Sequence, residues 1–181
     1  MSIPSAKAPP PDATVFLDFE ASSLGGWPVE VGLAWFDPSA PAEGFLSVSF
    51  LLRPEPDWDE VDWDPLAAVV HGIALDNLRR EGTPAPEAAR AVARLVAGRT
   101  LMSDAADFDS ALLLRLFEAM PEAAPDVRVL DLAGLLRRLE PEAVALYDAT
   151  LAATPTPHRA GPDALRLARA WHAALTGPHG P

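Results

Sequence analysis

The stretch Val15-Phe16-Leu17-Asp18-Phe19-Glu20 constrains this chain more than any other. Its four apolar residues read as one short buried strand. Asp18 and Glu20 stand two positions apart, so a strand turns both carboxylates to the same face. Two like charges at that spacing repel. A fold accepts them only if that face opens to water or if a cation sits between them. Whatever is built around this strand has to supply one or the other.

The rest of the chain predicts what surrounds it. VEVGLAWFD (29–37) and GFLSVSFLLRP (44–54) are rich in β-branched and aromatic residues and are separated by the turn-forming PSAPAE. With the first strand they predict an antiparallel meander. PLAAVVHGI then reads as a short helix stopped near Gly72, and PEAARAVARLVAG (86–98) as a helix with Val92, Leu95 and Val96 on one face. TLMS (100–103) is a short strand, 107–120 a helix, and VRVLDL (127–132) another strand. The Leu-rich segment to 139 and EAVALYDATLAA are helical. The last helix, 162–175, aligns Ala164, Leu167, Ala168, Trp171 and Leu175 on one stripe, with Pro162 in its first turn. Three strands followed by alternating helices and strands imply an α/β fold, a mixed central sheet covered by helices.

Length and composition bound the function. The 181 residues suit one domain with a sizeable core. Pro and Gly enrichment without hydrophobic periodicity predicts flexible tails at 1–12 and 177–181 around a single domain at 13–176. No run approaches the ~18 apolar residues of a membrane span and no apolar signal region opens the chain, so a soluble, cytoplasmic protein without a membrane partner is expected. Cysteine is absent, which excludes disulfides and thiolate metal sites. The net charge of -12, from 26 acidic and 14 basic residues, argues against holding a long duplex through many phosphate contacts. Contacts to phosphate would fall to a few guanidinium groups, main-chain amides or metal ions.

Three further segments bear on the carboxylate pair. Phe108-Asp109 opens a helix just after TLMS, His158 lies in a Pro-rich loop, and Asp163 begins the last helix. Converging at one edge of the sheet, these groups would gather four carboxylates and an imidazole, a donor set suited to two hard divalent cations. Each piece alone has an ordinary reading. Asp109 is a helix N-terminal acid, and His71-Gly72 is a helix C-terminus.

Together, and in this order, the motifs resemble the DEDD, or DnaQ-like, 3′-to-5′ exonucleases of the ribonuclease H-like fold, in the subgroup whose last motif contains His. Asp18-Phe19-Glu20 with Leu24 is similar to the family's D-x-E followed by T-G-L, and Val29-Glu30-Val31-Gly32-Leu33 to its I-E-I-G segment. Ser103-Asp104-Ala105-Ala106-Asp107-Phe108-Asp109 resembles the H-N-A to F-D motif. His158-Arg159-Ala160-Gly161-Pro162-Asp163-Ala164 resembles H-x-A-x-x-D-A, and Val70-His71-Gly72-Ile73 resembles a V-H-G-I segment. Two departures stand out. Ala21-Ser22-Ser23 replaces Thr-Thr-Gly, and Ser103-Asp104 replaces His-Asn, adding a negative charge near the phosphate path.

The resemblance implies a ribonuclease H-like sheet and a 3′-to-5′ exonuclease. Asp18, Glu20, Asp109 and Asp163 would hold two Mg²⁺ or Mn²⁺ ions. His158 would be the general base, imidazole being the side chain that exchanges a proton near neutral pH. Leu24 would wedge against the terminal base, and His71 would lie near the terminal nucleotide. The implied substrates are single-stranded DNA or RNA 3′ ends or short oligonucleotides, released as 5′-mononucleotides. Two rivals are a catalytically weak binding module on the same fold and a phosphodiesterase acting on a small nucleotide.

Overall fold

The computed structural model describes residues 8–40 and 44–177; the outer parts of the expected tails, 1–7 and 178–181, lie outside the described residues. Strands β1 (Thr14–Ala21), β2 (Pro28–Phe36) and β3 (Phe45–Arg53) form the expected antiparallel meander. The two-residue β4 (Thr83–Pro84) lies parallel to β3 at one edge. On the other side of β1, β5 (Thr100–Ser103) and β6 (Val129–Asp131) run parallel, which gives a mixed six-stranded sheet of order β4-β3-β2-β1-β5-β6.

Seven helices cover this sheet among the described residues: α1 (Pro65–His71), α2 (Leu75–Glu81), α3 (Ala85–Val96), α4 (Ala106–Glu118), α5 (Leu132–Leu136), α6 (Pro141–Ala152) and α7 (Ala160–Thr176). None is long and apolar enough to cross a membrane. Gly72 ends α1 with φ 68°, the left-handed turn expected where that helix stops. Helix α2 is not foreseen from the sequence, because LDNLRRE offers only Leu75 and Leu78 as apolar residues and no stripe for periodicity to detect. Burial of Leu78 against the sheet supplies what the pattern lacks. Helix α7 begins at Ala160, two residues before the expected start at Pro162, so Gly161 and Pro162 lie in its first turn.

Strand alternation divides β1 between two cores. Val15, Leu17 and Phe19 face the layer that contains residues of α2, α3 and α4, whereas Phe16 faces the layer of α5, α6 and α7. Asp18 and Glu20 continue the Phe16 row past the end of its apolar cover. Across β2 the row is matched residue by residue: Phe16 pairs with Ala34, Asp18 with Gly32 and Glu20 with Glu30. Small residues here let α7 approach the strand. A Cβ at Gly32 would lie 2.0 Å from the Ala160 carbonyl carbon and 2.4 Å from the Gly161 nitrogen, so α7 meets β2 by its backbone.

The opposite core is closed by tryptophans. Trp27, fully buried, stacks on Trp58 at 5.7 Å and meets Trp63 at 5.6 Å, and its indole N–H donates to the Asp59 carbonyl. This fastens the segment leading into α1 against the end of the sheet. At the N-terminus, the Pro9 and Pro10 carbonyls accept hydrogen bonds from Trp171 and Thr14, which tie residues just before β1 to the α7 layer.

The contact at Gly32 sets a direct expectation. Gly32→Ala should destabilise the protein by about 1–3 kcal/mol or more, since only a backbone shift relieves the clash. Urea unfolding of the variant should show a lower midpoint at unchanged slope; a midpoint equal to that of the parent chain would show that α7 has room to move.

Candidate active site

The site is assembled at the end of β1 by three unrelated stretches of chain. β1 presents Asp18 and Glu20, α4 presents Asp109 from its first turn, and α7 presents Asp163 from its first turn. One oxygen each from Asp18, Glu20 and Asp163 lies within 4.8 Å of the others. Of the four carboxylates and one imidazole expected to converge, these three carboxylates meet this closely. Asp109 lies outside that set of three and is almost fully buried at 1% exposure. It is held by the Ser103 hydroxyl, which donates to Asp109 Oδ2 and accepts from the Ala105 amide. The serine at the end of β5 thus orients the acid six residues later, a role no periodicity announces.

A cleft of about 240 Å³ opens over the cluster, lined by Asp18, Glu20, Asp104, Thr156, His158 and Asp163 with Arg166 at its wall. His158 is exposed and adopts φ 51°, a left-handed conformation uncommon outside glycine. Arg166 pairs with Asp163 Oδ1 at 3.1 Å, one turn along α7. The Arg159 amide donates to Asp163 Oδ2 at 2.9 Å.

A second cleft, of about 320 Å³, shares Phe19 and Glu20 with the first and is otherwise more apolar, with Leu24, Leu66, Val70, His71 and Phe108 among its walls. Leu24 is 94% exposed at the tip of a loop whose base is tied by paired bonds between Ser22 and Trp27. That loop carries the Ala21-Ser22-Ser23 departure, and the Ser22 hydroxyl is what accepts from the Trp27 amide. His71 is buried; its Nδ1 accepts from the Ile73 amide, and Nε2 makes no hydrogen bond within normal limits. Burial holds its pKa below the ordinary histidine value. Two larger clefts meet along Glu55, Asp57 and Trp58 and contain none of the expected site residues.

Electrostatics in the site are dominated by unfavourable charge. Desolvation pushes Asp18 up to about 9, with Asp109, Glu20, Asp104 and Asp163 adding repulsion in that order. Glu20 rises to about 7 through desolvation and the nearby Asp163 and Glu30, an effect that Arg159 partly offsets. Asp109 rises to about 7, chiefly by desolvation, although the hydrogen bond from Ser103 opposes this. Asp104 is raised as well, again chiefly by desolvation. The residue pattern marks it only as a departure; in space it joins Asp18, Glu20 and Asp163 as a fourth carboxylate lining the cleft. Without a cation, such a cluster retains protons. With one, the oxygen-only donors suit a hard divalent ion.

No family model and no curated protein sequence matches the chain. Solved structures do. Exonuclease I of E. coli, in complex with a dT13 oligonucleotide, superposes over 91% of this chain with TM-score 0.61 and 17% identity. The Pop2p protein of S. pombe, in its Mg²⁺- and Mn²⁺-bound form, matches 92% of this chain and 84% of its own, with TM-score 0.62 and 15% identity. Exonuclease X in complex with 5′ overhanging duplex DNA matches 91% and 92%, with TM-score 0.57 and 20% identity. The fold is that of the ribonuclease H-like nucleases. The chain spans 41% of the length of Exonuclease I but most of Pop2p and Exonuclease X. A ribonuclease H-like sheet is thus what carries the acidic cluster.

The raised pKa values make metal-free stability depend on pH in a defined direction. Asp18, Glu20 and Asp109 bind protons more tightly folded than unfolded, so their contribution is complete below about pH 4 and is lost as pH rises through about 7 and then 9. Chemical denaturation in a chelator should give higher stability at about pH 5 than at about pH 8.5, and Asp18→Asn should flatten that decline. Saturating Mn²⁺ should oppose the loss at the higher pH. Stability that rises with pH in the chelator would contradict the electrostatics described.

Proposed function

We propose that this chain is a metal-dependent 3′-to-5′ exonuclease of the DEDD type, in the His-containing subgroup, that removes 5′-mononucleotides from single-stranded or short DNA or RNA. The observation that carries the reading is the meeting of Asp18, Glu20 and Asp163 within 4.8 Å, with buried Asp109 beside them, on a ribonuclease H-like sheet. Support comes from the structural neighbours, which include an exonuclease in complex with a dT13 oligonucleotide and a protein in its Mg²⁺- and Mn²⁺-bound form.

In this reading Asp18, Glu20, Asp109 and Asp163 hold two divalent cations, Mg²⁺ or Mn²⁺. When bound, such ions neutralise the scissile phosphate, acidify a water and stabilise the leaving 3′ oxygen. The chain's own residues do the rest. Ser103 fixes the Asp109 carboxylate. His158, exposed in the cleft over the cluster, takes the proton from the attacking water. The neighbouring apolar cleft receives the terminal nucleotide, with Leu24 wedging against its base and His71 beneath it. Stacking and apolar contact suit a chain of net charge -12, because they do not rely on a basic groove.

The deciding experiment incubates purified protein and Mn²⁺ with DNA and RNA oligomers labelled at the 5′ end, and follows the product ladder. Stepwise shortening from the 3′ end with release of 5′-mononucleotides is expected. Intact oligomers with turnover of a small nucleotide diester would instead favour the phosphodiesterase, and binding without turnover would favour the binding module.

Asp18→Ala, Asp109→Ala and Asp163→Ala should each abolish cleavage while remaining folded, and turnover by Asp109→Ala near the parent rate would sink the ligand assignment. His158→Ala should keep metal binding and lose about 100-fold or more in kcat, as for a missing general base. Binding should favour single strands over blunt duplex and depend weakly on salt. A duplex-tracking protein loses roughly 0.9 log units of affinity per phosphate contact for each tenfold rise in salt. Kinetics on strands of increasing length at two salt concentrations, with metal fixed, measure this; a steep slope would reveal an arginine-lined groove.

A further inference from the structure

Arg159 stands between the proposed base and the last carboxylate, and its side chain does not enter the cleft. It turns back to β2, where Nε and Nη2 donate to Glu30 Oε2 and Oε1 at 2.8 and 2.9 Å. Glu30 is 1% exposed and accepts a third hydrogen bond, at 3.1 Å, from the amide of Ala160, the first residue of α7. The Arg159 amide meanwhile donates to Asp163 Oδ2. Arg159 and Ala160 are therefore tied to Glu30 and Asp163, and the left-handed His158 directly precedes them. One position along the same row of β2, the close approach of Gly32 to Ala160 leaves no slack for the helix start to shift.

Glu30 is buried while the Arg159 side chain is 41% exposed, and an ion pair with a buried carboxylate is a poor device for stability alone, since desolvating the charge offsets much of the attraction. Its strength is geometric. A guanidinium fork on a carboxylate fixes orientation as well as distance, which a lysine or an apolar contact cannot do. Glu30 also sits opposite Glu20 in the β1–β2 register, so whatever it holds is referenced directly to the carboxylates of β1.

We propose that Glu30 and Arg159 are positioning residues: a clamp on β2 that sets His158 and Asp163 against Asp18 and Glu20. This rests on the nuclease reading above. Neither side chain need touch the substrate. Loss of the clamp lets the helix start and the preceding bend move, which loosens one metal ligand and the proton acceptor together.

The test compares the parent chain with Glu30→Gln and Arg159→Lys. It uses calorimetric titration with Mn²⁺, oligonucleotide kinetics, and thermal unfolding to fix a temperature at which every chain is folded. Supporting partners of metal ligands typically change affinity or activity about 10–100-fold. Glu30→Gln should therefore weaken Mn²⁺ binding and lower kcat by about tenfold or more, with KM for the oligonucleotide within about twofold because no substrate contact is lost. Arg159→Lys, which keeps the charge but not the fork, should fall between. A folded Glu30→Gln with Mn²⁺ affinity and kcat both at parent values overturns the proposal and leaves the pair a purely structural fastening. If Glu30→Gln does not fold, Arg159→Lys decides alone: parent-like Mn²⁺ affinity and kcat overturn the clamp, and a joint loss upholds it. If the parent chain binds Mn²⁺ but cleaves neither DNA nor RNA, the nuclease reading fails, while the Mn²⁺ affinities still report whether Glu30 sets Asp163.

Discussion

The seating of the α7 N-terminus on β2 is the contact on which the site depends. Gly32 lets two backbones meet where any side chain would separate them, and Glu30 receives the first amide of the helix and the guanidinium before it. Asp163 reaches Asp18 and Glu20 because of that approach. The row Glu30-Gly32-Ala34 is thus a template, graded from charged to small to apolar. It aligns with Glu20-Asp18-Phe16 on the neighbouring strand. Apolar packing of Phe16, Ala34, Trp171 and their neighbours holds the far end of α7, and the charged end carries the acidic cluster.

Carboxylate crowding and fold stability pull against each other here. A cluster in which Asp18 is pushed up to about 9 is not what folding alone would choose. The surrounding structure supplies the compensation through the two apolar layers, the tryptophan stack around Trp27 and the arginines at 159 and 166. Those arginines bring positive charge to two of the acids, Arg159 to Glu30 and Arg166 to Asp163.

The two clefts differ in character. One is polar and lies over the carboxylates; the other is apolar and continues from it across Phe19 and Glu20. Alternation along β1 produces this division, since Phe19 points to the opposite core while Glu20 points to the cluster. Near one strand end, therefore, an apolar surface adjoins an oxygen-rich one.

The sequence by itself determined the meander, the order of the later elements and the shared face of Asp18 and Glu20, because strand alternation and helical periodicity are local properties of the chain. It also pointed to Asp109 and Asp163 through the motifs around them. Helix α2 escaped, having no stripe, and its existence rests on burial of Leu78. Only the tertiary structure decided that Asp163 joins the β1 pair within 4.8 Å while Asp109 lies buried to one side under Ser103. Asp104 likewise became a fourth carboxylate lining the cleft, and Glu30 the partner of Arg159 across 129 positions. Such distances depend on how closely two elements pack, and here that was set by one missing Cβ at Gly32, whose neighbour across the gap no local pattern names.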